Sequence, residues 1–305
     1  MNSVLAELAP IFILIALGWA VRAGRVATPE ALGHVNRFGY FVLYPAFLFS
    51  LSSSADLSGS DAGPFVLGVV AGFAVMIAIA LALRLVFRED APAYTSVFQG
   101  AVRWNGFVLL AAAPALYGSL GPQLIGLAFG PLVLINNMVC VAVLARWGAA
   151  RATSWRALLD QIIANPLILG CLAGLGARAL GLHDLGPISA AARLLGEAAM
   201  PVALICVGAG LDFKALRAAP AKAATACALK LIVAPLLMWW GVKLCGGSML
   251  AAAIAAGVGS TPTAAAGYTL AREMGGDARL MAAIITATTL LSFLTMPIAI
   301  GLAPR

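Results

Sequence analysis

Charged residues are scarce in this chain of 305 residues. Asp, Glu, Lys and Arg make up 10% of it, although about a quarter of the residues in an ordinary soluble domain are charged. Apolar residues make up 62%, and the mean hydropathy is +1.00. This composition excludes an ordinary soluble domain and predicts a membrane protein.

The residue types that build most catalytic and metal sites are also rare. There are two histidines, and the five cysteines include no CxxC pair. The sequence contains no Ser/His/Asp spacing, no phosphate-binding glycine loop and no dinucleotide-binding motif. We therefore expect a protein that is not an enzyme and has no organic cofactor, no metal site and no nucleic-acid partner. The cysteines are expected to act as small hydrophobic residues.

Long apolar runs dominate the sequence. A helix needs about 20 apolar residues to cross about 30 Å of hydrocarbon. We predict an all-α membrane protein with ten transmembrane helices and short connections. The spans are 2–21, 34–54, 64–87, 93–117, 122–145, 157–179, 187–210, 218–244, 249–271 and 278–300.

The basic residues are placed unevenly. Thirteen lie in or beside the loops that follow odd-numbered spans, whereas Arg178, Lys243 and Arg305 lie on the opposite side. The positive-inside rule makes the odd loops cytoplasmic and puts both termini on the outer, periplasmic side of a bacterial inner membrane. The net charge of +7 thus orients the chain in the lipid bilayer.

The sequence also contains a faint internal repeat. A shift of 156 residues superposes three pairs of prolines, at 10 and 166, 45 and 201, and 64 and 220. We predict two five-helix repeats, 1–150 and 151–305. Because each holds an odd number of spans, the second copy must be inverted in the membrane, as in secondary transporters whose binding sites lie at interrupted helices near the midplane.

Two spans contain residues that interrupt helices. "GVGSTPTAAAG", at 257–267 in span nine, contains Pro262, which cannot donate a backbone hydrogen bond. The repeat pairs this position with "QGAVRWNGF" in span four. Broken backbone at this depth must be buried in protein or line a wet cavity. Two breaks that meet would direct positive half-helix ends towards one point, which suits an anion.

This reasoning defines a candidate anion site. Its predicted residues are Arg103, Asn105, Gly106, Ser260, Thr261, Pro262 and Thr263. Asn136 and Asn137 of span five either join this site or only bridge helices. Arg103 either binds the substrate or forms an ion pair with Glu197 of span seven, because a lone intramembrane charge is costly. Lys230 has no evident partner in the sequence.

The chain resembles the auxin efflux carrier family over nearly its whole length. No single motif is specific, but the order and spacing of four segments carry the resemblance. They are "NRFGYFVLYPAFLFSLS" at 36–52, "NPLILGCLAGLG" at 165–176, "AAMPVALICVGAGLD" at 198–212 and "TPTAAAGYTLAREMGGDARLMAAIITATTLLSFLTMPI" at 261–298.

The resemblance implies two inverted five-helix repeats, similar to sodium/proton antiporters, with broken crossover helices four and nine. It further implies a scaffold of spans 1, 2, 6 and 7, a transport domain of spans 3–5 and 8–10 that moves as an elevator, and a homodimer formed through the scaffold. The crossover asparagine that holds the substrate carboxylate corresponds to Asn105. Thr261 and Pro262 replace the second crossover asparagine, and the long loop of plant members is absent, which argues against auxin as the substrate.

We therefore predict a carrier of a small mono- or dicarboxylate, similar to family members for malonate or malate. Two alternatives stay open at this stage. A sodium- or proton-coupled carrier of the same fold would need cation ligands, and Glu197 is the one acid well inside a predicted span. A membrane sensor or assembly subunit would bind the ligand without moving it.

Overall fold

The computed structural model describes residues 2–54, 59–87, 90–149, 164–182, 185–217 and 219–301. Within these ranges the regular elements are all helices. The α-helices are α1 Asn2–Ala23, α2 Pro29–Phe38, α3 Tyr44–Ser53, α4 Ala62–Ala82, α5 Ala91–Val102, α6 Gly106–Tyr117, α7 Leu120–Trp147, α8 Pro166–Ala179, α9 Pro187–Ala209, α10 Pro220–Ala228, α11 Ala234–Leu244, α12 Met249–Ser260, α13 Ala266–Met274 and α14 Ala278–Gly301.

Among the described residues, six helical segments are long and apolar enough to cross a membrane. They correspond to predicted spans one, three, five, seven, eight and ten, and their bounds are Val4–Ala23, Ala62–Leu85, Leu120–Trp147, Pro187–Ala209, Pro220–Leu244 and Ala278–Gly301. The all-helical, multi-pass architecture predicted from the sequence is therefore present. The count of ten membrane crossings stays a prediction.

The second predicted span starts earlier than expected. A π-helical turn, Gly39–Leu43, joins α2 to α3, so the helical path begins at Pro29 and not at residue 34. The side chain of Thr28 caps this start, because its Oγ1 accepts a hydrogen bond from the Ala31 amide at 3.2 Å. Hydropathy missed the first turns because they are polar. For span six, residues 157–163 lie outside the described ranges.

Glycines set the distance between several helices. A Cβ added to Gly68 on α4 would lie 2.4 Å from the backbone of Val242 on α11, and one added to Gly174 on α8 would lie 2.5 Å from the carbonyl oxygen of Phe49 on α3. These backbones approach too closely for any side chain. The paired glycines at 68–72 and 170–174 thus serve helix packing, as their spacing indicates.

The 156-residue shift relates two helix contacts to each other. Gly18 on α1 faces Ile205 on α9, where an added Cβ would lie 2.0 Å from the Ile205 carbonyl oxygen. The shift turns Gly18 into Gly174 and Ile205 into Phe49, which also face each other. Such an exchange is expected of two repeats related by an approximate twofold axis. It supports the predicted repeat, whose inverted arrangement stays a prediction.

Candidate functional site

Two predicted spans are interrupted at the expected places. In span four, α5 ends at Val102 and α6 begins at Gly106, which leaves 103–105 outside the helices. In span nine, α12 ends at Ser260 and α13 begins at Ala266. Pro262 explains the second break because it has no amide hydrogen and cannot continue the helical bonding of α12.

The two breaks meet through backbone atoms. The Asn105 amide donates a hydrogen bond to the Pro262 carbonyl oxygen at 2.9 Å. Thr263 Oγ1 donates to the Gly100 carbonyl oxygen at 2.7 Å, and the Thr263 amide donates to Thr288 Oγ1 at 3.2 Å. Span four has no proline at its break. Its backbone groups there, the Asn105 amide and the Gly100 carbonyl, find hydrogen-bond partners in span nine in place of those that a continuous helix would supply.

The hydroxyl groups at the end of α12 turn back into their own helix. Ser260 Oγ donates to the Gly257 carbonyl oxygen and Thr261 Oγ1 donates to the Val258 carbonyl oxygen, both at 2.9 Å. These bonds satisfy carbonyl groups that a helix end leaves open. Both hydroxyl hydrogens are therefore already used, although the oxygens can still accept a bond.

Arg103 is buried and has only neutral partners. Its Nε donates to Gln99 Oε1 at 3.0 Å, and its Nη1 lies 3.5 Å from Asn137 Oδ1. The side chain is 5% exposed. The buried polar and charged residues of the described ranges include no Asp, Glu or His. The guanidinium charge thus has no acidic counterpart in this part of the chain.

The structure does not bring Arg103 and Glu197 together. Within the described ranges no ion pair joins them, and Glu197 lies exposed on α9. There it lines a cavity of about 770 Å³ between α3 and α9, beside Arg193 and Ser53. None of the helix-break residues lines this cavity.

Asn105 differs from Arg103 because its side chain has no hydrogen bond to the described residues. Its amide group makes no capping bond to α6 and has no other hydrogen bond to the described residues. Gly106, the first residue of α6, is packed so tightly that an added Cβ would lie 2.4 Å from the Phe129 ring. The side-chain amide of Asn105 therefore lies at the positive end of the α6 dipole and is available to form hydrogen bonds with a ligand.

The two asparagines of α7 have separate roles. Asn136 Nδ2 lies 3.5 Å from the Val102 carbonyl oxygen, and Asn136 Oδ1 accepts from Cys140 Sγ at 3.1 Å, so this residue bridges α7 to the end of α5. Asn137 instead contacts the Arg103 guanidinium. The sequence alone did not distinguish the roles of these adjacent asparagines. In the structure Asn136 bridges two helices, and Asn137 contacts the candidate site.

Sequence reasoning missed two contacts of this region. Gln99 was not singled out, although it lies four residues before Arg103, a spacing that places two side chains on one helix face. Lys230 has a partner after all: its Nζ donates to the Gly259 carbonyl oxygen at 3.0 Å, near the carboxyl end of α12. The described residues contain no group of three His, Cys, Asp or Glu side chains that could hold a metal ion.

Comparison with known proteins gives two matches. Residues 152–300, which include the second helix break, match a family model described as "Membrane transport protein". Over 304 aligned residues the chain is 29% identical to a Rhizobium meliloti (strain 1021) protein named "Putative malonate transporter". That alignment covers 94% of this chain and 92% of the relative, so it includes both breaks.

Proposed function

We propose that the chain is a transporter, not an enzyme, and that it carries a small organic anion that binds at the two helix breaks. The matches to the family model described as "Membrane transport protein" and to the relative named for malonate transport support this proposal. The observation that carries the proposal is the buried Arg103 guanidinium with its neutral partners. A buried charge without a counter-charge is costly. A substrate carboxylate would provide that counter-charge.

Asn105 and the half-helices would complete the binding site. The free Asn105 amide can donate to a carboxylate oxygen, and its position corresponds to the family's crossover asparagine. The positive ends of α6 and α13 begin at Gly106 and Ala266, directly after the two breaks. Arg103, Asn105 and these helix ends would then bind one negative group through charge-assisted contacts.

Malonate is the first substrate to test. The Rhizobium meliloti relative is named for malonate transport and aligns with 94% of this chain. Small dicarboxylates and monocarboxylates form the class that we propose, since one carboxylate is sufficient for the contacts at Arg103 and Asn105.

The proposed movement is an elevator motion in a bacterial inner membrane, with both termini outside. The transport domain would contain both breaks and would slide against the scaffold. The exchanged contacts of Gly18 and Gly174 support the internal repeat, and this division further assumes that the two repeats are inverted. The homodimer expected from the family resemblance would form through the scaffold, whose exposed surface includes Arg193 and Glu197 on α9.

Lys230 supports transport without a coupling cation. In transporters with broken helices, the carboxyl ends of half-helices and unwound carbonyl groups bind the coupled sodium ion or proton. Here Lys230 Nζ already donates to the Gly259 carbonyl oxygen near that end of α12. We therefore favour an uncoupled carrier over the cation-coupled alternative.

Counterflow in proteoliposomes tests the proposal. Vesicles loaded with malonate should accumulate labelled malonate without a sodium or proton gradient. Arg103→Gln should abolish most of this uptake, and Arg279→Gln, at an exposed residue of α14, should not change it. A strict gradient requirement would favour the coupled carrier, binding without movement would favour the sensor, and full uptake by Arg103→Gln would refute the proposed site.

A further inference from the structure

Gln99 is the side chain that holds the Arg103 guanidinium in place. It is completely buried, and its Oε1 accepts the Arg103 Nε hydrogen at 3.0 Å. The orientation of its amide follows from chemistry, because a guanidinium nitrogen only donates and must face the amide oxygen. With Nε engaged by Gln99, the terminal nitrogens of Arg103 are the part of the guanidinium left to bind a ligand.

The other half of the Gln99 amide is left without a partner. Its Nε2 is buried and has no hydrogen-bond partner among the described residues. A buried donor without an acceptor costs free energy. A glutamate has nearly the same shape, would accept the same bond from Arg103, and has no amide hydrogens to leave unpaired. For stability alone, an acid would suit this position better than glutamine.

An acid at this position would also neutralise the guanidinium. Residues four apart on a helix form ion pairs when their charges are opposite. The second partner, Asn137, is likewise an amide and not an aspartate. Both amide partners thus orient the guanidinium through neutral oxygens and leave its positive charge available.

We propose that Gln99 is a positioning residue that sets the sign of the charge the site accepts. It fixes Arg103 through Nε and, as a neutral amide, reserves the positive charge for the substrate. This role rests on the proposed function, because it assumes that the helix breaks bind a carboxylate. It adds that selectivity for an anion depends on the neutral partners of Arg103 as well as on Arg103 itself.

Gln99→Glu tests the role directly. The introduced carboxylate contacts the guanidinium, which keeps it ionised. We expect the affinity for malonate to fall more than tenfold, while the affinity for the uncharged diamide malonamide does not fall in proportion. The measured quantity is the malonate-to-malonamide affinity ratio, obtained by thermal-shift titration of the purified full chain. A merely structural role would lower both affinities together.

Two further variants and a control complete the experiment. Gln99→Leu removes the anchor without adding charge, so it should weaken malonate binding but keep the preference for malonate over malonamide. Asn137→Asp places an acid at the half-buried second partner and should lower the ratio as Gln99→Glu does, which covers the case in which Gln99→Glu does not fold. Gln123→Glu, the same chemical change in the first turn of α7, should leave the ratio unchanged.

The outcomes separate this role from the proposed function. If Gln99→Glu folds and keeps the wild-type ratio, the role of the neutral partners is wrong although the carboxylate site stands. If Gln99→Glu does not fold, a wild-type ratio in Asn137→Asp leads to the same conclusion. If the wild-type chain binds no carboxylate, both proposals fall together. A lowered ratio in the acidic variants and an unchanged preference in Gln99→Leu would support the role.

Discussion

Arg103 and Asn105 lie two residues apart, but their polar atoms are used differently. The Arg103 side chain already has neutral amide partners in Gln99 and Asn137, whereas the side-chain amide of Asn105 has no hydrogen bond to the described residues. The first residue is thus held in a fixed orientation, and the second is free to adapt to a ligand. A site of this kind would bind the charge of a substrate rigidly and adjust to its shape through Asn105.

The separation of Arg103 from Glu197 leads to the first prediction. Because Glu197 is exposed and is not paired with Arg103, Glu197→Gln should leave thermal stability and malonate uptake close to wild type. Arg103→Gln should remain folded and lose most uptake. Asn105→Ala should weaken binding less, by about 0.5–1.5 kcal/mol, the net value of one neutral hydrogen bond.

A double mutant decides between the two roles of Arg103. If Arg103 were paired with Glu197, the single Arg103→Gln change would strand an acid, and adding Glu197→Gln would restore stability and uptake. We expect no such rescue. Restored uptake in the double mutant would end the assignment of Arg103 to substrate binding.

At the scale of helices, the contact between the two breaks should contribute measurably to stability. Thr263 Oγ1 donates to the Gly100 carbonyl oxygen at 2.7 Å in a fully buried position. Thr263→Val keeps the shape but removes the donor, so the carbonyl group loses its partner and the chain should lose about 1–3 kcal/mol of stability. Thermal unfolding in detergent measures the loss.

Thr225→Val provides a matched control for this change. Thr225 is half-buried on α10, and its hydroxyl donates a solvent-exposed hydrogen bond to the Ala221 carbonyl oxygen of its own helix. Its replacement should shift the unfolding temperature far less. Equal shifts for the two variants would contradict the importance of the contact between the breaks.

An ion pair between two other helices predicts a dependence on pH. Asp90 caps α5 and accepts hydrogen bonds from the Lys222 ammonium and the Ala93 amide, and the bond from Lys222 is the main cause that lowers the pKa of Asp90 below its usual value. A lowered folded-state pKa stabilises the protein above the unfolded-state pKa, and this stability is lost as the pH falls through the folded-state value. Asp90→Asn should therefore be less stable than wild type at pH 7.

The expected size of this effect is small because the Asp90 side chain is 45% exposed. Water screens such a pair, so the difference should be below about 1 kcal/mol. Thermal unfolding of wild type and Asp90→Asn at neutral pH and in acid would show the difference shrink as Asp90 becomes protonated. A difference that grows in acid would contradict the assignment.

The sequence predicted the helix breaks better than their surroundings. Pro262 marks the second break through its own chemistry, and the repeat transferred this expectation to Asn105, where no proline is present. The partners of Arg103 could not be predicted because they depend on which face of α5 meets α7. The helical start before the second span was missed because Pro29, Glu30 and Gly33 lower the hydropathy of its first turn. Long-range packing decides these features, and hydropathy does not report it.

At the scale of the whole molecule, a native cysteine can test the orientation. Cys245 is exposed after α11, on the side that the distribution of basic residues makes external. An impermeant thiol reagent added to intact cells should label it. A cysteine introduced at Val26, which is 80% exposed in the loop after α1, should be protected in a Cys245→Ser background. The reverse labelling pattern would overturn the predicted orientation.

The pairing of α1 with α9 has a consequence for how the protein is made. α1 ends at Ala23, and its glycine-lined partner begins at Pro187, so a ribosome that adds about 5–20 residues per second needs roughly 8–30 seconds between them. During that interval the close-packing surface of α1 around Gly18 has no α9 to contact and must be covered by lipid or by the insertion machinery. The first half of the chain is therefore inserted before its packing partner is made, and assembly cannot finish before translation is well into the second half.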